Sequence, residues 1–281
     1  MESHLAEVFG YPVSDTTADA HRSREWCWCP FIKETCDRAS HIDDYPLGIC
    51  TLMQDVELYV ICPHRFLGAD SINGIPSGLE NIALHYFGEL KNLVILSNIK
   101  IPGYGAIDFV IVKHKPFQAD IDDFVPVELC ASLPTCTAEL IQGLKDAMSE
   151  RNVPATFYDV GIDFGRTAKR FLNQVFNKGI VYENWGIKSY WVIQEYLYTK
   201  LIENYGLKPG EYTEEHTCRL ALQRYFLVDG HVTWGEPRYV SASVDGIYQA
   251  IRNDPTLPSK DLFVAVLNKS LRNHVKQFQF S

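Results

Sequence analysis

Five of the eight cysteines in this 281-residue chain fall between Cys27 and Cys62. The stretch reads CWCPFIKETC, then DRASHIDDYPLGIC, then TLMQDVELYVICPHRF. Clustered thiols in a chain without a secretory leader more often bind metal than pair as disulfides. The opening segment, MESHLAEVFGYPV, holds two acidic residues and no basic n-region. It is therefore not expected to be a secretory signal, and a cytoplasmic location is the expectation.

A structural tetrahedral site takes four soft ligands. The candidates are Cys27, Cys29, Cys36, Cys50 and Cys62, with His41 and His64 in reserve. Only Trp28 separates Cys27 from Cys29, which is tight for two thiolates on one ion, so one of the pair is expected to be excluded. Pro30 stiffens the turn after Cys29, as Pro63 does after Cys62, which favours Cys29. The spacing is not the paired C-x₂-C of zinc ribbons, so the signal is density. The opposed reading is that these are small buried hydrophobes. Residues 1–76 show little periodicity and carry turn formers such as Asp43, Asp44, Pro46, Gly48 and Asn73. Such a stretch is expected to bury little apolar area, leaving a bound ion to supply folding free energy.

The rest of the chain is patterned. Ser77 and Glu80 fit a capping box opening a helix to about Leu90. Strands are expected at Leu93–Leu96, Ile107–Val112 and Phe124–Ala131, and a helix at Thr137–Ser149. Further helices are expected near Arg166–Asn177, Ser189–Tyr205 and from Asp261. Asp229-Gly230 predicts a hairpin between Tyr225–Val228 and His231–Trp234. The expected division is a metal-binding region at 1–76 and a core with C-terminal helical and hairpin elements at 77–281. No apolar run approaches the ~20 residues of a membrane span, so no membrane partner is expected.

Two acids stand inside apolar strands: Asp108 in IDFVIV and Glu128 in VPVELCA. Buried carboxylates are costly unless paired or bound to metal. Neighbouring strands that each present one make a divalent-cation site suited to Mg²⁺, which could activate water against a phosphodiester. The opposed reading is a satisfied core acid. The net charge of -9 argues mildly against a surface that tracks phosphates throughout. Basic residues are denser at Lys169, Arg170, Lys178 and Lys188, and at Lys269, Arg272, His274 and Lys276. Either group taken alone reads as a solvated helix face.

An Asp, a gap, then Glu-x-Lys resembles the PD-(D/E)xK nucleases, whose core has the helix-strand-strand-strand-helix order expected here. Cys130 stands where that pattern has the lysine that helps orient or activate the attacking water. Glu139, Gln142 or Lys145 from the following helix could replace it, and Glu89 could add a third carboxylate.

Taken together, the chain resembles the NotI-type restriction endonucleases, which recognise GC-rich palindromes. The likeness runs through HLAEVFGYPV, Cys29-Pro30-Phe31, Cys36, Gly48-Ile49-Cys50 and Val60-Ile61-Cys62-Pro63-His64-Arg65. It resumes at Gly88-Glu89-Leu90, Asp108 and Glu128 and weakens after Glu150. Phe176-Asn177-Lys178 and the aromatic stretch around Tyr190 and Gln194 remain compatible. About half the chain is covered. In that family four cysteines at corresponding places hold one iron ion, which implies Cys29, Cys36, Cys50 and Cys62 here and leaves out Cys27. Asp108 and Glu128 match the catalytic carboxylates, and the family has glutamine at the position of Cys130.

The expected fold is therefore α/β: a PD-(D/E)xK core of mixed sheet flanked by helices, with a small N-terminal four-cysteine region. The expected function is type II restriction: Mg²⁺-dependent hydrolysis of double-stranded DNA at a GC-rich palindrome, leaving a 5′-phosphate. The enzyme would act as a homodimer. Asp108 and Glu128 would hold Mg²⁺ with Glu89 assisting, and the cysteine-bound iron or zinc would be structural. The alternative is a metal-stabilised DNA-binding protein on the same fold that does not cleave. A third reading, a redox enzyme, has only the closely spaced Cys27 and Cys29 as its hint, and no cofactor-binding glycine motif accompanies them.

Overall fold

The computed structural model describes residues 3–39, 46–72, 74–149, 156–207, 212–253 and 259–278. His41, Asp43, Asp44 and Asn73 lie outside the described residues, as do the side chains of Arg272, His274 and Lys276. The N-terminal part contains β1 (His4–Val8), β2 (Tyr11–Pro12), α1 (Ala18–Glu25), β3 (Trp28–Cys29), β4 (Glu34–Thr35), β5 (Ile49–Gln54), β6 (Glu57–Val60), a 3₁₀ turn (Pro63–Leu67), β7 (Ser71–Ile72) and β8 (Ile75–Pro76). Then follow α2 (Ser77–Phe87), β9 (Leu93–Ile101), β10 (Gly105–His114), β11 (Ile121–Cys130) and α3 (Thr137–Met148). The remainder is α4 (Phe164–Gln174), a π-helical turn (Val175–Gly179), α5 (Ile180–Trp185), β12 (Ser189–Gln194), α6 (Glu195–Tyr205), β13 (Cys218–Gln223), β14 (Tyr225–Val228), β15 (His231–Trp234), β16 (Arg238–Ala242), α7 (Val244–Arg252) and α8 (Lys260–Phe278).

The architecture is mixed α/β. A six-stranded sheet runs β16-β13-β12-β11-β10-β9. β9, β10 and β11 form an antiparallel meander, β11 to β13 are parallel, and β16 returns antiparallel. The parallel strands β12 (SYWVIQ) and β13 (CRLALQ) are buried along their whole length, as expected of strands covered on both faces. That corrects the helix expected over Ser189–Tyr205, whose first six residues form β12. A short, continuous apolar run cannot be told from a buried helix by periodicity.

Each face of the sheet has its own core. On one, Val125, Val127 and Leu129 meet Leu79, Ile82 and Ala83 of α2 together with Cys29, Cys50 and Cys62. On the other, Val110, Val112 and Cys130 meet Phe171 of α4, Leu197 and Leu201 of α6 and Ile247 of α7. A third core joins Leu5, Val8, Ile49 and Leu52 to Leu140, Ile141 and Leu144 of α3.

The described residues of 1–76 are more regular than expected. They form a four-stranded sheet, β2-β1-β5-β6, which buries Leu5, Val8, Ile49 and Leu52. This segment therefore buries more apolar surface than expected. They also share packing and hydrogen bonds with the later chain: Gln194 at the end of β12 accepts from Val60 N at 2.7 Å and donates to Leu58 O at 2.8 Å. The capping box is absent. Pro76 occupies the N-cap of α2, and the Ser77 hydroxyl donates to Leu67 O instead. The Asp229-Gly230 hairpin forms as expected, both residues having positive φ (51° and 80°), which a type I′ turn requires.

A buried ion pair ties these layers together. Arg65 Nε lies 2.8 Å from Glu7 Oε2, and Arg65 Nη2 donates to Val232 O at 2.6 Å. Thr51 donates to the same Glu7 oxygen, and the Arg65 guanidinium sits over the Phe31 and Tyr225 rings. Breaking a buried pair from one side strands the other charge. Arg65→Met is expected to cost about 3–5 kcal/mol in urea denaturation, and the double variant Glu7→Leu/Arg65→Met to recover part of that loss.

Candidate functional site

Two sites merit description: the carboxylates of β10 and β11, and the cysteines above the sheet. Phe109 pairs with Val127 across the β10–β11 ladder, so one step further along sets Asp108 opposite Glu128. Asp108 Oδ2 accepts from Leu129 N at 2.8 Å, anchoring this side chain to the neighbouring strand. Glu128 is fully buried. Lys178 Nζ donates to its Oε2 at 2.7 Å and the Tyr182 hydroxyl to its Oε1 at 3.0 Å. Burial raises the Glu128 carboxyl to about 7, and the charge of Asp108 pushes the same way while Lys178 and Tyr182 oppose it. The two carboxylates therefore sense each other.

Lys178, one of the basic residues expected on a solvated helix face, is almost wholly buried. It sits in the π-helical turn between α4 and α5, and Tyr182 follows one helical turn later. Residues four apart on a helix share a face, which lets both reach one carboxylate. Gly179 allows the close approach of α7 here, since a Cβ on it would meet Val244 Cγ2 at 2.9 Å. A lone lysine among other cations carries no sequence signal of this role; only the tertiary contact does.

The other expected partners are placed elsewhere. Glu89 is half-buried and pairs with Lys113 at 2.9 Å. Lys113 is five residues along β10 from Asp108, roughly 16 Å of strand. Helix α3 packs its apolar face on β1, and Gln142 bonds Asp146 within the helix. Cys130 is buried and faces the Arg170 guanidinium, which also donates to Ala131 O. Lys188 pairs with Glu214, while Lys169 and Lys269 are exposed.

Asp108 also lines a cavity of about 630 Å³. One wall is the sheet, with Ser97, Asn98 and Phe109; the other is the cysteine-rich region, with Lys33, Asp37 and His64. Behind that wall the thiols gather. The Cys62 sulfur is held low, to about 5, chiefly by the facing Cys50 thiol and further by Arg38 and His64, against the effect of burial. Its charge raises Cys29, Cys36 and Cys50 in turn. Burial is the largest cause at Cys29, pushed up to about 12, and at Cys36. Cys27 is raised by burial alone and packs against the third core, as Cys36 also does. His64 lies 3.5 Å from the Asp37 carboxylate.

Four soft donors around one charge suit a thiophilic ion, and two carboxylates suit a hard one. Among the described residues, however, no three His, Cys, Asp or Glu side chains are grouped so that they could hold a metal ion. Nor is any described helix long and apolar enough to cross a membrane.

The elevated Glu128 carboxyl has a consequence in metal-free buffer. Between its ordinary value of 4.5 and about 7, the folded chain keeps a proton that the unfolded chain has lost. Stability at this group therefore falls as pH rises through that window. Urea midpoints measured across it are expected to fall less steeply for Glu128→Gln than for the wild type, and equal slopes would remove the assignment. Neither a protein-family model nor a curated protein matches this sequence.

Proposed function

We propose that the chain is a Mg²⁺-dependent site-specific DNA endonuclease of PD-(D/E)xK type, with a structural ion at its cysteines. The observation that carries this reading is the Asp108–Glu128 pair on adjacent antiparallel strands, with an ammonium at 2.7 Å and an open cavity alongside. The order α2-β9-β10-β11-α3, with β12 parallel to β11, supports it as well. A bound Mg²⁺ supplies Lewis-acid stabilisation of the phosphodiester charge and an acidified water.

Asp108 and Glu128 would hold that ion. Asp108 is among the residues that line the cavity, while Glu128 is held by Lys178 and Tyr182. Each carboxylate oxygen of Glu128 retains a lone pair beyond its present bond. In the overall reaction water adds to phosphorus, the P–O3′ bond breaks, and the departing oxygen takes up a proton. The GC-rich palindromic target and the homodimer rest on the resemblance to the NotI-type enzymes. Cys29, Cys36, Cys50 and Cys62 would hold one iron or zinc ion.

A second reading, a DNA-binding protein that does not cleave, is favoured by one observation: both Glu128 oxygens already have donors. Incubation with GC-rich plasmid and Mg²⁺ separates the two. Discrete fragments are expected, and Asp108→Ala is expected to cut at least about 10²-fold more slowly. A gel shift without cleavage would support the binder, and neither result would remove both readings. Elemental analysis is expected to find one iron or zinc per chain. That ion should be lost in Cys62→Ser and kept in Cys27→Ser; retention in both would reassign the ligands.

A further inference from the structure

Glu128 and Cys130 are two residues apart on β11, so their side chains leave the sheet on the same face. A cation at 130 would stand beside the Glu128 carboxylate. The thiol there is buried and supplies no such cation. Arg170 reaches that thiol, but it spends a donor on Ala131 O, and no bond joins it to Glu128 among those described.

The positive charge at Glu128 arrives from another element. Lys178 Nζ bonds Glu128 Oε2 on β11 and also Ala106 O, two residues before Asp108 on β10. The ammonium is thus fixed to both strands that carry the carboxylates. The helix is adapted to put it there. The π-helical turn Val175–Gly179 interrupts an otherwise continuous α4–α5 helix, and such turns often occur at functional sites. Lys178 lies within that wider turn, and Tyr182, four residues on, meets the same carboxylate.

We propose that Lys178 is a positioning residue for the carboxylate pair: from the helix layer it delivers the charge that strand position 130 does not. It acts through Glu128, holding that carboxylate by a direct bond while fixed also to the strand of Asp108. This deepens the nuclease reading and rests on it. A buried ion pair of purely structural use would show the same distances, so the test must move the charge and leave the fold.

Three proteins are compared for Mg²⁺-dependent plasmid cleavage, DNA gel shift and thermal melting: wild type, Lys178→Gln, and Lys178→Gln/Cys130→Lys. The amide keeps hydrogen-bond donors at the site and lacks the charge. Lys178→Gln is expected to shift DNA as the wild type does and to cut about 10²-fold more slowly. Returning an ammonium to the strand in the double variant is expected to restore at least tenfold of that loss. A structural role gives no reason for such rescue. If wild type cuts and Lys178→Gln cuts equally well, the assignment to Lys178 is overturned and the nuclease reading stands. If Lys178→Gln folds, fails to cut and is not rescued at 130, the charge role is likewise overturned. If Lys178→Gln does not fold, the double variant decides: a folded, cutting protein supports the proposal, and anything else overturns it. Wild type that never cuts instead removes the nuclease reading.

Discussion

The Glu7–Arg65 pair is the contact on which the arrangement of layers depends. Glu7 comes from the first strand, and Arg65 from the turn just after Cys62. The carbonyl that Arg65 reaches, at Val232, belongs to a hairpin far along the chain. Both charges are almost wholly removed from water, a cost that only good geometry and further hydrogen bonds offset. Thr51 supplies one such bond to Glu7, and the Phe31 and Tyr225 rings flank the guanidinium. The pair registers the small sheet against the 3₁₀ turn and the β14–β15 hairpin in one step.

The same pair borders the thiols. Burial is the largest cause raising Glu7, the charge of Cys62 adds to it, and Glu7 in turn raises Cys50. The cysteine cluster therefore sits in a field set by Glu7, Arg38 and His64 as well as by its own sulfurs. Cys27, two residues from Cys29, has a positive φ of 52° and packs against the third core, as Cys36 also does.

The Glu128 carboxylate meets a helix that departs from α geometry at the turn carrying Lys178. The cavity that Asp108 lines has the cysteine-rich region as its other wall.

Much of this architecture was legible in the chain itself. The apolar runs of β10 and β11, the helical spacing of α2 and α3 and the Asp-Gly hairpin are local patterns, which short windows of sequence carry. Asp108 and Glu128 stood out because charge inside an apolar strand demands a partner, and the cysteines because of their density. What local pattern could not carry was anything decided by burial on two faces or by contact across the fold. β12 looked like a helix because strands covered on both sides lose their alternation. The partner of Glu128 was sought in α3, but the sheet order directed α3 to β1 and left Lys178, 50 residues from Glu128 in the chain, to fill the place. Glu89 followed the end of its helix to Lys113, away from the pair. The sequence by itself determined which groups needed partners. Only the tertiary structure decided which partners they received, because the partner of a buried charge is set by the packing of layers and not by distance along the chain.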